Sequence, residues 1–149
     1  MSTGDGPRVV EVSPQQAWDR LSRSEKAVLI DVRTRAEWLF VGGPDISELD
    51  RSIIRVEWAE LPAMSQNPRF VDQVLEEFGG AVPSELYFLC RSGGRSMSAA
   101  KAVARTLAAM GVTAECVNVA EGFEGDLDPQ KHRGGLNGWK ARGLPWTQS

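Results

Sequence analysis

The sequence predicts an α/β fold: a central parallel five-stranded sheet with helices on both faces. Three observations carry that prediction. Short apolar runs alternate with helical patterns along the chain, the order that builds crossover connections and a parallel sheet. The run at residues 27–32 is nearly continuously apolar, as expected of a strand covered on both faces. Each of the main helical patterns also carries a start or stop signal. At 149 residues, the chain suits one domain, expected over residues 9–149, that buries about two-thirds of the surface exposed when unfolded. It has no internal repeat and no linker long enough to divide it.

Residues 9–12 read as the first strand. Ser13 then stands as an N-cap, with Pro14 at the first helical position and Gln16 closing a capping box. This helix is expected to reach about Arg23, with Ala17, Trp18 and Leu21 on its buried face. Residues 27–32 form the second strand and end among charges, Asp31 and Arg33. Open α/β sheets place their sites at such carboxyl ends. Thr34 and Glu37 repeat the capping-box pattern and start a short helix through Trp38 and Leu39. Gly42, Gly43 and Pro44 break the chain, residues 47–51 read as loop, and residues 52–58 as the third strand. Residues 61–66 are expected to be irregular. Asn67 and Pro68 open a helix whose Phe70, Val71, Val74, Leu75 and Phe78 share a face, ended by Gly79 and Gly80. Residues 85–89 are the fourth strand. The next helix spans about residues 95–110, with Ala100, Val103, Ala104, Leu107 and Met110 on one stripe. Residues 115–119 are the fifth strand. The glycine-rich remainder holds one short helical piece near residues 136–141.

Composition removes several function classes. A net charge of −3 and the lack of a basic run argue against nucleic acid as a partner. No apolar run reaches the length of a membrane span, so no membrane partner is expected. Residues 1–8 lack a secretory pattern and read as a flexible tail, so the expected location is cytoplasmic, with reduced thiols. Two cysteines and one histidine do not supply a zinc site. A disulfide between Cys90 and Cys116 stays open at this level.

The candidate site lies where the fourth strand delivers Cys90. Arg91, Ser92, Gly93, Gly94 and Arg95 follow, and Ser96 opens a helix. A strand feeding a glycine loop and a helix N-terminus is an anion-binding arrangement. With Arg91, Arg95 and the helix dipole nearby, a thiol at the loop's start is favoured as thiolate, hence as nucleophile. The glycines let the backbone curl around a small group. Asp31 and Arg33 have two readings: orienting the loop through ion pairs with Arg95 or Glu37, or forming an ordinary structural pair. Cys116, in an apolar strand, reads as a buried structural thiol, with a resolving thiol as the alternative. The five tryptophans read as packing residues, Trp58 having the alternative of lining the mouth of the site. His132 and the acids of residues 45–60 read as solvated.

These residues also carry a family resemblance. Asp31-Val32-Arg33 with Glu37-Trp38 resembles the D-V-R-x-x-x-E-[FW] segment of rhodanese domains. Cys90 to Ser96 resembles their C-x-x-G-x-R-[ST] loop, and Gly122-Phe123 with Gly138-Trp139 and Gly143-Leu144-Pro145 resembles their closing signature. The resemblance covers nearly all of residues 9–146. It implies a rhodanese-like fold and a sulfurtransferase, in which Cys90 takes a sulfane sulfur from an anionic donor such as thiosulfate. Backbone N–H groups of the loop, with Arg91, Ser92, Gly93, Gly94, Arg95 and Ser96 as binding residues, would cradle the persulfide. The sulfur would pass to cyanide or a thiol, with a protein donor or acceptor as a further option and no metal or organic cofactor. Four residues separate Cys90 from Arg95, one fewer than in the C-x5-R loop of cysteine phosphatases. The tighter loop suits a single sulfur better than phosphate, which disfavours a phosphatase or arsenate reductase. The remaining alternatives are a non-catalytic rhodanese interaction module and a persulfide or redox sensor. Residues 42–49 and 124–137 depart from the family pattern, the latter by being longer.

Overall fold

Both capping boxes close in the computed structural model, which describes residues 8–149. Ser13 Oγ accepts from Gln16 N at 3.1 Å and Gln16 Oε1 from Ser13 N at 2.9 Å, fixing the start of α1 (Pro14–Arg23). Thr34 Oγ1 accepts from Glu37 N at 3.3 Å and Glu37 Oε1 from Thr34 N at 3.1 Å, starting α2 (Arg35–Phe40). Each exchange satisfies backbone donors that a helix start would leave orphaned. The tail expected over residues 1–8 lies, but for residue 8, outside the described residues.

Five strands form one parallel sheet, in the order β1 (Val10–Val12), β8 (Glu115–Val119), β7 (Glu85–Leu89), β2 (Ala27–Asp31) and β4 (Ile54–Arg55). Alternation along each strand sorts the core into two layers. Ile30, Leu86, Phe88 and Cys116 face α3 (Phe70–Phe78) and α4 (Gly94–Ala109). Leu29, Tyr87, Leu89, Val117 and Val119 face α1 and the buried rings of Phe123 and Trp139. α1 contributes Ala17 and Leu21 to this second layer, and Trp18 meets Trp139 edge to face at 6.0 Å between centroids. Gly79, at φ +57°, ends α3 in the left-handed conformation that glycine adopts most cheaply. No helix among the described residues is long and apolar enough to cross a membrane.

The structure departs from the expected elements in four places. The third strand is regular only over β4, at the sheet's edge, although Val56 N and Trp58 N still donate to Asp31 O and Val32 O at 3.2 and 3.1 Å and keep the chain alongside β2. Residues 61–66 are not irregular: β5 (Ala59–Glu60) and β6 (Ser65–Gln66) form an antiparallel hairpin, with a cis Leu61–Pro62 bond in its tip. The helical piece near residues 136–141 does not form. Gly138 stands at φ +98°, where a Cβ would lie 2.6 Å from Gly125 N, so the chain makes turns that drop Trp139 into the core. Finally, β9 (Trp146–Thr147) pairs antiparallel with β3 (Gly43–Pro44), a contact no local pattern announced. Hydrogen bonds cross-link the segment between Glu124 and Asn137. Gly134 N donates to Glu124 O, Asp126 N to Asn137 Oδ1 and Arg133 Nη1 to Gly125 O, at 2.8, 2.8 and 2.7 Å. His132 is exposed there, as expected.

Candidate active site

β7 is buried along its last four residues and ends by delivering Cys90, itself only 1% exposed, at the carboxyl edge of the sheet. A turn after β8 clamps the start of the loop. Phe123 N donates to Cys90 O at 2.8 Å, and Glu124 N and Gly125 N donate to Arg91 O at 3.0 and 3.1 Å. The clamp requires a glycine: Gly122 stands at φ +64°, and a Cβ there would lie 2.6 Å from both the carbonyl carbon and the oxygen of Arg91.

The sulfur sits at the head of α4. Gly93 N donates to Cys90 Sγ at 3.1 Å, and Ser96 Oγ lies 3.2 Å from it. The Ser96 hydroxyl has one proton and two further acceptors in reach, Asn118 Oδ1 at 2.5 Å and Gly93 O at 3.2 Å. Asn118 is oriented in turn by donating through Nδ2 to Glu11 Oε2 at 2.9 Å. Gly93, the N-cap of α4, stands at φ +114° and offers no side chain to the helix start. The first-turn N–H groups of Gly94, Arg95 and Ser96 therefore find no acceptor among the described residues, and they carry the positive end of a 16-residue helix. Arg91 is exposed at the rim, with no carboxylate within ion-pair distance among the described residues.

Arg95 is held differently. Its guanidinium forms a bidentate pair with Glu37, Nη1 to Oε1 at 2.8 Å and Nη2 to Oε2 at 2.9 Å, tying α4 to α2. Burial alone would raise the Glu37 pKa. The Arg95 hydrogen bonds, the Thr34 N–H and the Arg95 charge outweigh it and hold the carboxyl at about 2, against an ordinary 4.5. The Arg95 guanidinium is stabilised as a cation: its desolvation is overcome by Glu37, with smaller contributions from Cys90 and Asp31. Because the folded-state pKa of Glu37 lies below its unfolded value, the pair stabilises the fold fully above about pH 4.5. That stabilisation, about 1–2 kcal/mol after solvent screening, is lost as pH falls towards 2. Denaturant titrations from pH 6 to pH 2.5 should show this loss, and Glu37→Gln should remove the corresponding part of the pH dependence.

Comparison with known proteins bears on this geometry. Residues 13–127 match the family model described as a rhodanese-like domain. The chain belongs to the rhodanese-like family. An uncharacterised protein of Rickettsia conorii, RC0915, is 33% identical over 138 residues, spanning 93% of this chain and 97% of that protein. RP600 of Rickettsia prowazekii is 31% identical over the same shares of the two chains. Among solved structures, Rv0390 of M. tuberculosis is similar at TM-score 0.80 and 42% identity, over 96% of this chain and 100% of that one. The polysulfide-sulfur transferase homodimer of Wolinella succinogenes shares the fold at TM-score 0.53 and 20% identity, over 95% and 80% of the two chains.

Within this rhodanese-like fold, the residues from Cys90 to Ser96 come together on one loop, but Asp31 and Arg33 do not join them. Asp31 has the parity of Leu29 and faces the α1 layer, whereas Cys90 has the parity of Phe88 and faces α4. Asp31 and Arg33 pair with each other instead, Nη2 to Oδ2 at 2.7 Å with both side chains fully buried, and Arg33 Nη2 also donates to Gly42 O at 2.8 Å. Of the two readings of Asp31 and Arg33, the structural pair is the one that forms, and Arg95 is held by Glu37 instead. Its signal was present in the capping box, which uses one carboxylate oxygen and leaves the other free. Asn118 was also missed, although a polar residue between the apolar Val117 and Val119 marks a buried hydrogen-bonding position.

Trp58 does not line the mouth; it packs edge to face on Phe70 at 5.1 Å. Cys116 pairs in register with Leu86, four residues before Cys90 on the neighbouring strand. That offset is about 13 Å along the sheet, beyond the roughly 7 Å between Cα atoms that a disulfide can span. Both cysteines are free thiols, and burial pushes the Cys116 thiol up to about 12. Cys116 therefore cannot resolve an oxidised Cys90 in this fold.

Proposed function

We propose that this chain is a sulfurtransferase that carries a sulfane sulfur on Cys90 as a persulfide. The observation behind the reading is the setting of Sγ. It receives the Gly93 N–H at 3.1 Å at the uncapped head of α4, beside first-turn N–H groups that have no acceptor among the described residues. Such donors stabilise charge on the sulfur and on a second sulfur bonded to it. Family membership and the one-residue-shorter loop favour sulfur over phosphate as cargo.

In the first half-reaction the Cys90 thiolate attacks the outer sulfur of an anionic donor such as thiosulfate. The new S–S bond forms as the donor's own S–S bond breaks, and sulfite leaves with the electron pair. In the second, cyanide or a thiolate attacks the terminal sulfur, the enzyme S–S bond breaks, and Cys90 returns as thiolate. Thiocyanate or an organic persulfide departs. Splitting the transfer this way replaces one difficult displacement by two easier ones. Exposed Arg91 meets the donor's charge, and Arg95, fixed by Glu37, keeps the loop in shape.

Intact mass tests the proposal. After thiosulfate treatment, the wild type should gain about 32 Da, one sulfur atom, and lose it on adding cyanide, with thiocyanate released. Cys90→Ser should gain nothing. A folded wild type that gains no sulfur from thiosulfate, polysulfide or mercaptopyruvate would overturn the reading and favour a binding module.

A further inference from the structure

A cleft of about 500 Å³ opens beside the loop and reaches it through Arg91 and Arg95. Its size is that of clefts that bind drug-sized molecules, much larger than thiosulfate or cyanide requires. One wall is the end of α2, Phe40 with Val41; the other is the hairpin tip between β5 and β6, Leu61 with Met64. These walls are apolar yet solvent-facing: Phe40 is 78% exposed, Leu61 53% and Met64 43%. Contiguous apolar surface beside a polar site marks a place where another molecule docks. A methionine in such a wall can adapt to varied side chains. The charge in the cleft is equally one-sided. Glu37 is neutralised by Arg95, whereas Arg91 has no carboxylate partner among the described residues. A cleft of this volume is also larger than a small thiol such as a mercapto acid would fill.

We infer that the sulfur acceptor is a cysteine in a polypeptide segment that carries an apolar side chain and a carboxylate close to it. The apolar side chain fills the cleft between Phe40 and Met64, the carboxylate pairs with Arg91, and the acceptor thiolate reaches the persulfide on Cys90. This rests on the sulfurtransferase reading and names its acceptor. The step balances: the acceptor sulfur bonds to the terminal sulfur, the Cys90 S–S bond breaks, and Cys90 leaves as thiolate. No external oxidant or reductant is consumed.

The test uses the full chain loaded with sulfur by thiosulfate, and three synthetic peptides of equal length. One has leucine and aspartate flanking its cysteine, one has leucine and glycine, and one has glycine on both sides. Burying part of a leucine side chain should accelerate discharge about tenfold over the glycine peptide. The aspartate should add about two- to fivefold at low salt, a gain that 1 M salt removes. Phe40→Ser and Met64→Ser should each reduce the leucine advantage, measured as the ratio of peptide to cyanide discharge rates. Leu136→Ser, on an exposed residue outside the cleft, should not.

Equal rates for the three peptides, or a free aliphatic mercapto acid matching the best peptide, would overturn the inference. Should Cys90 accept no sulfur from any donor, the sulfurtransferase reading fails on its own. The docking surface is then tested by titrating the serine version of the first peptide against the Met64 methyl resonance. A saturable shift supports it, and no shift overturns it.

Discussion

Asp31→Asn is expected to destabilise the protein by about 3–5 kcal/mol, the usual cost of removing one partner from a buried ion pair. Asp31 and Arg33 are both fully buried, and the carboxylate accepts from Arg33 N, Nε and Nη2 at 3.1, 3.0 and 2.7 Å. The guanidinium also lies over the Phe123 ring, 4.7 Å from its centroid, and its Nη1 has no hydrogen-bond partner. An asparagine keeps the shape and one acceptor but leaves the cation buried and uncompensated. Denaturant unfolding should show a lower midpoint with an unchanged slope. The double variant Asp31→Leu with Arg33→Met should recover most of the loss, because it removes both charges together. A loss below about 1 kcal/mol for Asp31→Asn would mean that water reaches the pair in solution.

If the chain transfers sulfur as proposed, Gly122→Ala is expected to lower kcat/KM for thiosulfate about 100-fold, the scale associated with misplacing reacting groups by about 1 Å. The added methyl would meet Cys90 O and the carbonyl group of Arg91, all backbone, so no side chain can move aside. Alanine at φ +64° adds about 1–2 kcal/mol of backbone strain. The turn must therefore retreat, and with it the hydrogen bonds from Phe123, Glu124 and Gly125 that fix the loop. Far-UV circular dichroism should remain that of the wild type while turnover falls. Turnover retained within threefold would show that the loop holds its shape without the clamp.

The legible parts of this molecule are those whose cause lies within a few residues. Both capping boxes, the buried strands and the Gly79 stop depend on neighbours in sequence, and all form where expected. The Cys90 loop could be read for the same reason: strand end, glycines and helix start are contiguous. What escaped depends on distant partners. Pairing of β3 with β9 joins Gly43 to Thr147 across most of the chain. Residues 136–141 contain helix formers, yet the close approach of Gly138 to Gly125 overrides them. The choice between the two readings of Asp31 and Arg33 was settled by strand parity, which motif adjacency hides and which sends the side chains at positions 31 and 90 to opposite faces of the sheet.

The order of strands in the sheet also has a consequence in time. β1 docks only on β8, and the hydrogen bond from Asn118 to Glu11 joins residues 107 positions apart. Cys90 leaves the ribosome before Asn118, Gly122 and Gly125, which complete its surroundings. At about 5–20 residues per second the nascent thiol waits a few seconds for its clamp. During that interval it lacks the burial that the folded chain gives it. The rate at which residues 91–125 are translated thus sets how long Cys90 waits without its clamp.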